Sequence, residues 1–153
     1  MTVSIFAAAK YLAKRSNWSL SNLELQKLLY LSHMFYMGRH NGEPLVAGNF
    51  EAWDYGPVHP DLYRRARIFG SDDVQNIFHE VSDLEPGSPE AAILDEAYDS
   101  IGNAGPGRLV NATHRKDGAW ERAYIPGARH CVIPNGDILR EYQELDGAAD
   151  AAA

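Results

Sequence analysis

Cysteine occurs once in the 153 residues, as Cys131, so no internal disulfide can form and packing must hold the fold together. At this length a single domain buries roughly two-thirds of its unfolded surface without disulfides or metals. No apolar run is long enough for a membrane span, and no signal peptide or lipidation motif is present. The sequence therefore predicts a cytoplasmic protein with no membrane partner. Basic residues are missing from one long stretch: residues 71–107 carry none against 9 acidic side chains. Residues 1–70 carry 8 basic and 5 acidic side chains, and residues 108–153 carry 6 and 7, for a net charge of −7. That balance argues against a general nucleic-acid binder, which needs clustered cations to neutralise phosphate. The acidic stretch reads first as a solvated face and second as a surface that steers a basic partner.

Catalytic signatures are also missing. There is no G-x-S-x-G elbow, no Walker loop and no G-x-G-x-x-G after a strand. Six histidines, His33, His40, His59, His79, His114 and His130, are dispersed, with none in an H-E-x-x-H or comparable ligand pair. No metal, cofactor or catalytic residue is assigned. Cys131 beside His130 reads as a small buried hydrophobe rather than a nucleophile.

What is present begins with Ser21 to Arg39. Ser21 and Glu24 have the capping-box spacing, with Leu20 and Leu25 placed to form a hydrophobic staple across them. After Lys27 no charged residue appears until Arg39, and Leu, Tyr, Met and Phe fall on every side of the helical wheel. A helix apolar all round is a central one. Gln26, Tyr30, His33 and Met37 form one stripe along it, either buried or part of an interface.

Around this axle the periodicity predicts helices over Ser4 to Arg15, Pro60 to Phe69, Ser88 to Ile101, Arg108 to His114 and Asn135 to Leu145. Leu45-Val46-Ala47 and Asn49 to Trp53, separated by Gly48, predict a small hairpin. Gly56, Pro57 and Pro60 steer the backbone tightly between Asp54 and Asp61, and Gly118-Ala119-Trp120 reads as a break. The fold class is mainly α (α+β): about six helices around a central apolar helix, with a small β-hairpin. The domain spans 1–146, followed by a flexible Ala-rich tail at 147–153. Tyr63-Arg64-Arg65-Ala66-Arg67 is the only basic cluster, read first as favourable charge at a helix C-terminus.

Two runs together carry a resemblance. Leu25-Gln26-Lys27-Leu28-Leu29-Tyr30, followed by Phe50-Glu51-Ala52-Trp53-Asp54-Tyr55-Gly56-Pro57-Val58-His59-Pro60 and then Tyr63, resembles the Panacea-domain antitoxin family. Thr113-His114 with Trp120 fits the family's T-H…P-W region, with Ala119 standing where the family has proline. The resemblance covers about residues 5 to 145 and is greatest to the SocA-like branch. It implies an antitoxin with no catalytic residues, whose partners are a cognate protein toxin, neutralised by direct binding, and an ATP-dependent protease of the ClpXP type, to which the toxin is delivered. The partner-binding candidates are Lys27, Tyr30, His33, Trp53, Tyr55, His59, Tyr63 and Arg64. Two other functions stand beside this one. One is a small metal-dependent hydrolase using His59, His114 and nearby carboxylates; the other is a DNA-binding regulator using Arg64, Arg65 and Arg67.

Overall fold

The computed structural model describes the backbone of residues 1–152 and the side chains of residues 1–147. Among the described residues, seven α-helices and one two-stranded antiparallel sheet make up the fold. In chain order they are α1 (Ile5–Arg15), α2 (Asn22–Arg39), β1 (Glu51–Trp53), β2 (Gly56–Val58), α3 (Pro60–Ala66), α4 (Pro89–Ile101), α5 (Pro106–Thr113), α6 (Ala119–Ala123) and α7 (Asn135–Ala152). A single 3₁₀ turn, Arg67–Phe69, extends α3.

The start of α2 follows its sequence. Ser21 Oγ accepts the Glu24 N–H at 3.2 Å, and Glu24 Oε1 accepts the Ser21 N–H at 3.1 Å. Both members of the staple, Leu20 and Leu25, are buried. The helix is the core of the molecule: Leu25, Leu28, Leu29, Tyr30 and Met34 are fully buried, and α1, α3, α4, α5, α7 and β2 all pack on it. An apolar surface on every side requires neighbours on every side.

The hairpin is one residue block later than the sequence predicted. Leu45 and Val46 are buried but form no strand of the sheet. They are tied to the N-terminal segment, Val3 N–H donating to Leu45 O at 2.8 Å and Ala47 N–H to Val3 O at 2.9 Å. The sheet pairs Glu51 with Val58, Ala52 with Pro57 and Trp53 with Gly56. Pro57 lacks an N–H, and its forced extended geometry suits an edge position. The irregular segment before α7 lies along the other side of β1: Ala52 N–H donates to Cys131 O and Ile133 N–H to Phe50 O, each at 2.8 Å.

Other boundaries differ for local reasons. Gly118 starts α6 rather than ending order there, because the Ala119 N–H is taken up by Glu141 of α7. The backbone of α7 continues past Leu145 to Ala152, as alanine's helix propensity allows. The side chains of residues 148–152, and Ala153 altogether, lie outside the described residues, and with them most of the predicted flexible tail. The acidic stretch is largely matched within the molecule. Asp83 faces Lys10 and Lys14, Asp95 and Asp99 face Arg15, Glu96 pairs with Arg39, and Glu80 with Arg65.

Candidate protein-binding surface and the polar clamp beneath it

The two sequence runs that stand out meet in space. One turn into α2, Gln26 grips the backbone of His59 from both sides. Its Oε1 accepts the His59 N–H at 2.8 Å, while its Nε2 donates to His59 O at 3.3 Å and to Asn22 Oδ1 at 3.3 Å. A primary amide matches a backbone amide in this way, leaving neither partner unpaired. Beside it, Lys27 is only 1% exposed and donates through Nζ to Pro57 O at 2.8 Å. Burial pushes the Lys27 ammonium down to a pKa of about 7, since desolvation disfavours the charged form. Gly56 has φ +111°, and a Cβ there would stand 3.1 Å from both Lys27 Cε and Thr113 Oγ1. The lysine reaches Pro57 because position 56 has no side chain.

The histidines of this region are structural in their contacts. His33 Nε2–H donates to Asn135 Oδ1 at 3.0 Å while Nδ1 faces the Val46 N–H at 3.4 Å, which fits the neutral ring. Burial lowers its pKa to about 4. His59 Nε2–H donates to Ala47 O at 2.9 Å, and burial lowers its pKa as well. Phe50 sits between them, with its ring centroid 5.4 Å from each. Tyr30 meets Phe50 edge-on at 5.3 Å and is fully buried. Burial raises the Tyr30 pKa, with the negative charges of Glu141 and Asp137 adding to the effect.

A third layer comes from α5 to α7. Trp120 Nε1–H donates to Trp53 O at 2.7 Å, His114 lies against the Trp120 ring at 3.4 Å between centroids, and Tyr124 stacks on its other part at 4.5 Å. Burial lowers the His114 pKa, and the Lys27 charge lowers it further. Glu141 is 2% exposed; its Oε1 accepts the Ala119 N–H at 2.7 Å, and its Oε2 faces Arg115 at 3.6 Å, an ion-pair distance too long for a hydrogen bond. A proline at position 119, as in the family pattern, would have no N–H to give. Burial raises the Glu141 pKa despite these partners.

The eight partner-binding candidates therefore fall into two groups. Lys27, Tyr30, His33 and His59 are buried; Lys27, His33 and His59 hydrogen-bond inward, while Tyr30 packs on Phe50 and its hydroxyl has no partner among the described residues. Trp53 and Tyr63 are half-buried and meet edge to face at 4.7 Å, while Arg64 is exposed and Tyr55, at the hairpin tip, is 71% exposed. Next to Tyr63 a groove is lined by Arg64, Arg65, Arg67, Ile68 and Ile77. Ile68, 80% exposed, was not singled out by sequence. Its signal is that it stands off the Leu62, Ala66 and Phe69 stripe, an apolar residue with no place on the buried face. His59 and His114 are not brought together with carboxylates: among the described residues no group of three or more His, Cys, Asp or Glu is placed to hold a metal. No described helix is long and apolar enough to cross a membrane.

Comparison with known proteins agrees with the motifs. A curated relative, Antitoxin SocA of Caulobacter vibrioides (strain NA1000 / CB15N), is 33% identical over 114 residues, which is 67% of this chain and 58% of the relative. The chain thus spans less than two-thirds of that relative's length. No solved structure matches. The family model described as antitoxin SocA-like, Panacea domain, matches residues 25–121, a span that holds Lys27, the hairpin, α3 and Trp120. Matched over more than half of its length, the chain belongs to the SocA-like Panacea-domain family.

Proposed function

We propose that the protein is an antitoxin that neutralises a cognate protein toxin by stoichiometric binding. Family membership carries this reading. It is supported by the division of roles among the candidate residues: Lys27, Tyr30, His33 and His59 are buried in the scaffold, while Tyr55 and Arg64 are exposed and Trp53 and Tyr63 half-buried. In this reading the buried four set the shape of the binding face and the other four touch the toxin. The finer step is delivery of the captured toxin to a ClpXP-type protease, with this chain as adaptor and the cytoplasm as its compartment.

Co-expression with the product of the adjacent gene tests the binding step. The neighbour is expected to arrest growth alone, to be rescued by this chain, and to co-purify with it; a harmless, unbound neighbour counts against the reading. The adaptor step is tested separately by the toxin's half-life with purified ClpXP, which should shorten only when this chain is added. An unchanged half-life alongside full rescue means neutralisation by blocking alone.

A further inference from the structure

We propose that the toxin docks in the groove on the outer face of α3 and its 3₁₀ extension, and that the docking segment of the toxin carries carboxylates flanking an apolar side chain. This rests on the antitoxin reading and names the contact surface and the partner's chemistry.

Among the cations of residues 1–70, those not held by the acidic stretch or the core point to the groove. Of the 8 basic side chains in residues 1–70, five face the acidic stretch: Lys10, Lys14, Arg15, Arg39 and Arg65. Lys27 is buried against Pro57. Only Arg64 and Arg67 remain, and both line this groove. Arg67 has no ion pair among the described residues. Arg64 pairs with Asp61 three residues earlier, an exposed contact of the kind worth little in water and readily exchanged for another carboxylate. Arg108, Lys116, Arg122 and Arg129 also make no ion pair among the described residues, but the groove is where two loosely held guanidinium groups flank an exposed apolar side chain.

The groove also has an apolar seat. Ile68 is 80% exposed and Ile77 half-buried beside it. A single exposed isoleucine is ordinary, but here it lies in a concavity rimmed by guanidinium groups. The floor is firm: the Arg65 guanidinium lies 4.1 Å from the Phe6 ring centroid, and Glu80 holds its Nη1 at 2.6 Å. Tyr63 closes one end and leads by its 4.7 Å contact to Trp53 at the hairpin. Arginine, tyrosine and tryptophan are the residues that dominate protein interfaces once desolvated. Two outward arginines are too few for the phosphate neutralisation that nucleic acid needs, whereas they suit two carboxylates on either side of an aliphatic anchor.

The test uses the full chain and the purified toxin identified by growth rescue. Affinity is measured by calorimetry for wild type, Ile68→Asp, Arg64→Glu/Arg67→Glu, and the control Ile125→Asp, an exposed apolar residue away from the groove. Each variant is first checked by thermal melting. Both groove variants should lose at least about tenfold in affinity, the control should remain within about threefold, and wild-type binding should weaken with added salt. Wild-type affinity in both groove variants overturns the docking site while leaving the antitoxin reading intact. Loss only in Ile125→Asp overturns it in favour of the 125–133 segment. A wild-type chain that binds no rescued toxin overturns both readings. Binding of a 30-base-pair duplex that depends on Arg64 and Arg67 assigns the groove to nucleic acid and overturns the proposal.

Discussion

The inner and outer sides of the hairpin and α3 are built on opposite rules. On the inner side the clamp is committed, Gln26 to the His59 backbone, Lys27 to Pro57 O and His59 Nε2 to Ala47 O, while the buried Tyr30 hydroxyl and His59 Nδ1 have no hydrogen-bond partner among the described residues. On the outer side Arg64 has an exposed partner and Arg67 no ion pair among the described residues, and Ile68 and Tyr55 project into solvent. The difference teaches which part of a recognisable motif does what. Buried polar side chains with single, well-placed partners specify one geometry, and their loss is costly because the partner is stranded. Exposed groups can be exchanged among partners at little cost to folding.

If that contrast is right, the largest effect belongs to the inner side. Lys27→Ala should destabilise the domain by about 2–4 kcal/mol, because it strands the Pro57 carbonyl and leaves a void where the aliphatic stem lay. Urea denaturation measures this. A loss below 1 kcal/mol would place the ammonium in a better-hydrated setting than its 1% exposure indicates. Gly56→Ala comes next, at about 1–3 kcal/mol, since φ +111° is closed to alanine and the added Cβ presses on Lys27 and Thr113.

A third prediction uses pH to separate charge from packing. Lys27 and His33 are bases whose folded pKa values lie below their ordinary ones, so across each gap the unfolded chain binds more protons than the folded chain. Stability therefore rises with pH. For His33 the window runs from about 4 to 6.5, and His59, lowered in the same direction, adds to it. For Lys27 it runs from about 7 to 10.5. Glu141, a carboxyl held above its ordinary 4.5, acts in the opposite sense as pH rises through its own gap. Across the Lys27 window the slope should approach about 1 kcal/mol per pH unit. Lys27→Met keeps the aliphatic stem and removes the charge, so it should flatten that window and leave the acid limb unchanged. Parallel melting profiles for the two proteins between pH 7.5 and 9.5 would show that the lysine is not the group responsible.

The sequence made the inner side legible and the outer side only partly so. The capping box at Ser21, the absence of charge from Leu28 to Gly38, and the Pro60 and Pro89 helix starts are local signals, and the structure follows them. The hairpin was displaced because Leu45 and Val46 have strand composition but are held by Val3, a long-range tie that no local pattern encodes. The start of α6 was missed for a similar reason, as its N-terminal donor is satisfied by Glu141 from 22 residues away. Lys27, Tyr30 and His59 are recognisable as motif residues and His33 as part of a helix stripe, yet neither signal says which way a side chain points. The burial of Lys27 and His59 depends on the Gly56 and Gly48 backbones, which let these side chains approach closely. Arg67 and Ile68 carry the weakest signal, for exposure is what a residue has when the local pattern makes no demand on it.

That weak signal gives the smallest expected effect and the sharpest check on the contrast. Arg67→Ala removes a side chain with no ion pair among the described residues, so stability should change by no more than about 0.5 kcal/mol. Arg64→Ala should behave alike, because its pair with Asp61 is exposed on both sides. Arg65→Ala makes the internal control on the same turn: its guanidinium covers Phe6 and reaches Glu80, and removing it uncovers aromatic surface as well as a charge. Thermal melts of the three variants should therefore rank Arg65→Ala well below the other two. If Arg64→Ala or Arg67→Ala falls as far as Arg65→Ala, the outer face is part of the scaffold after all, and a partner reading that face would have to do so through groups the fold itself requires.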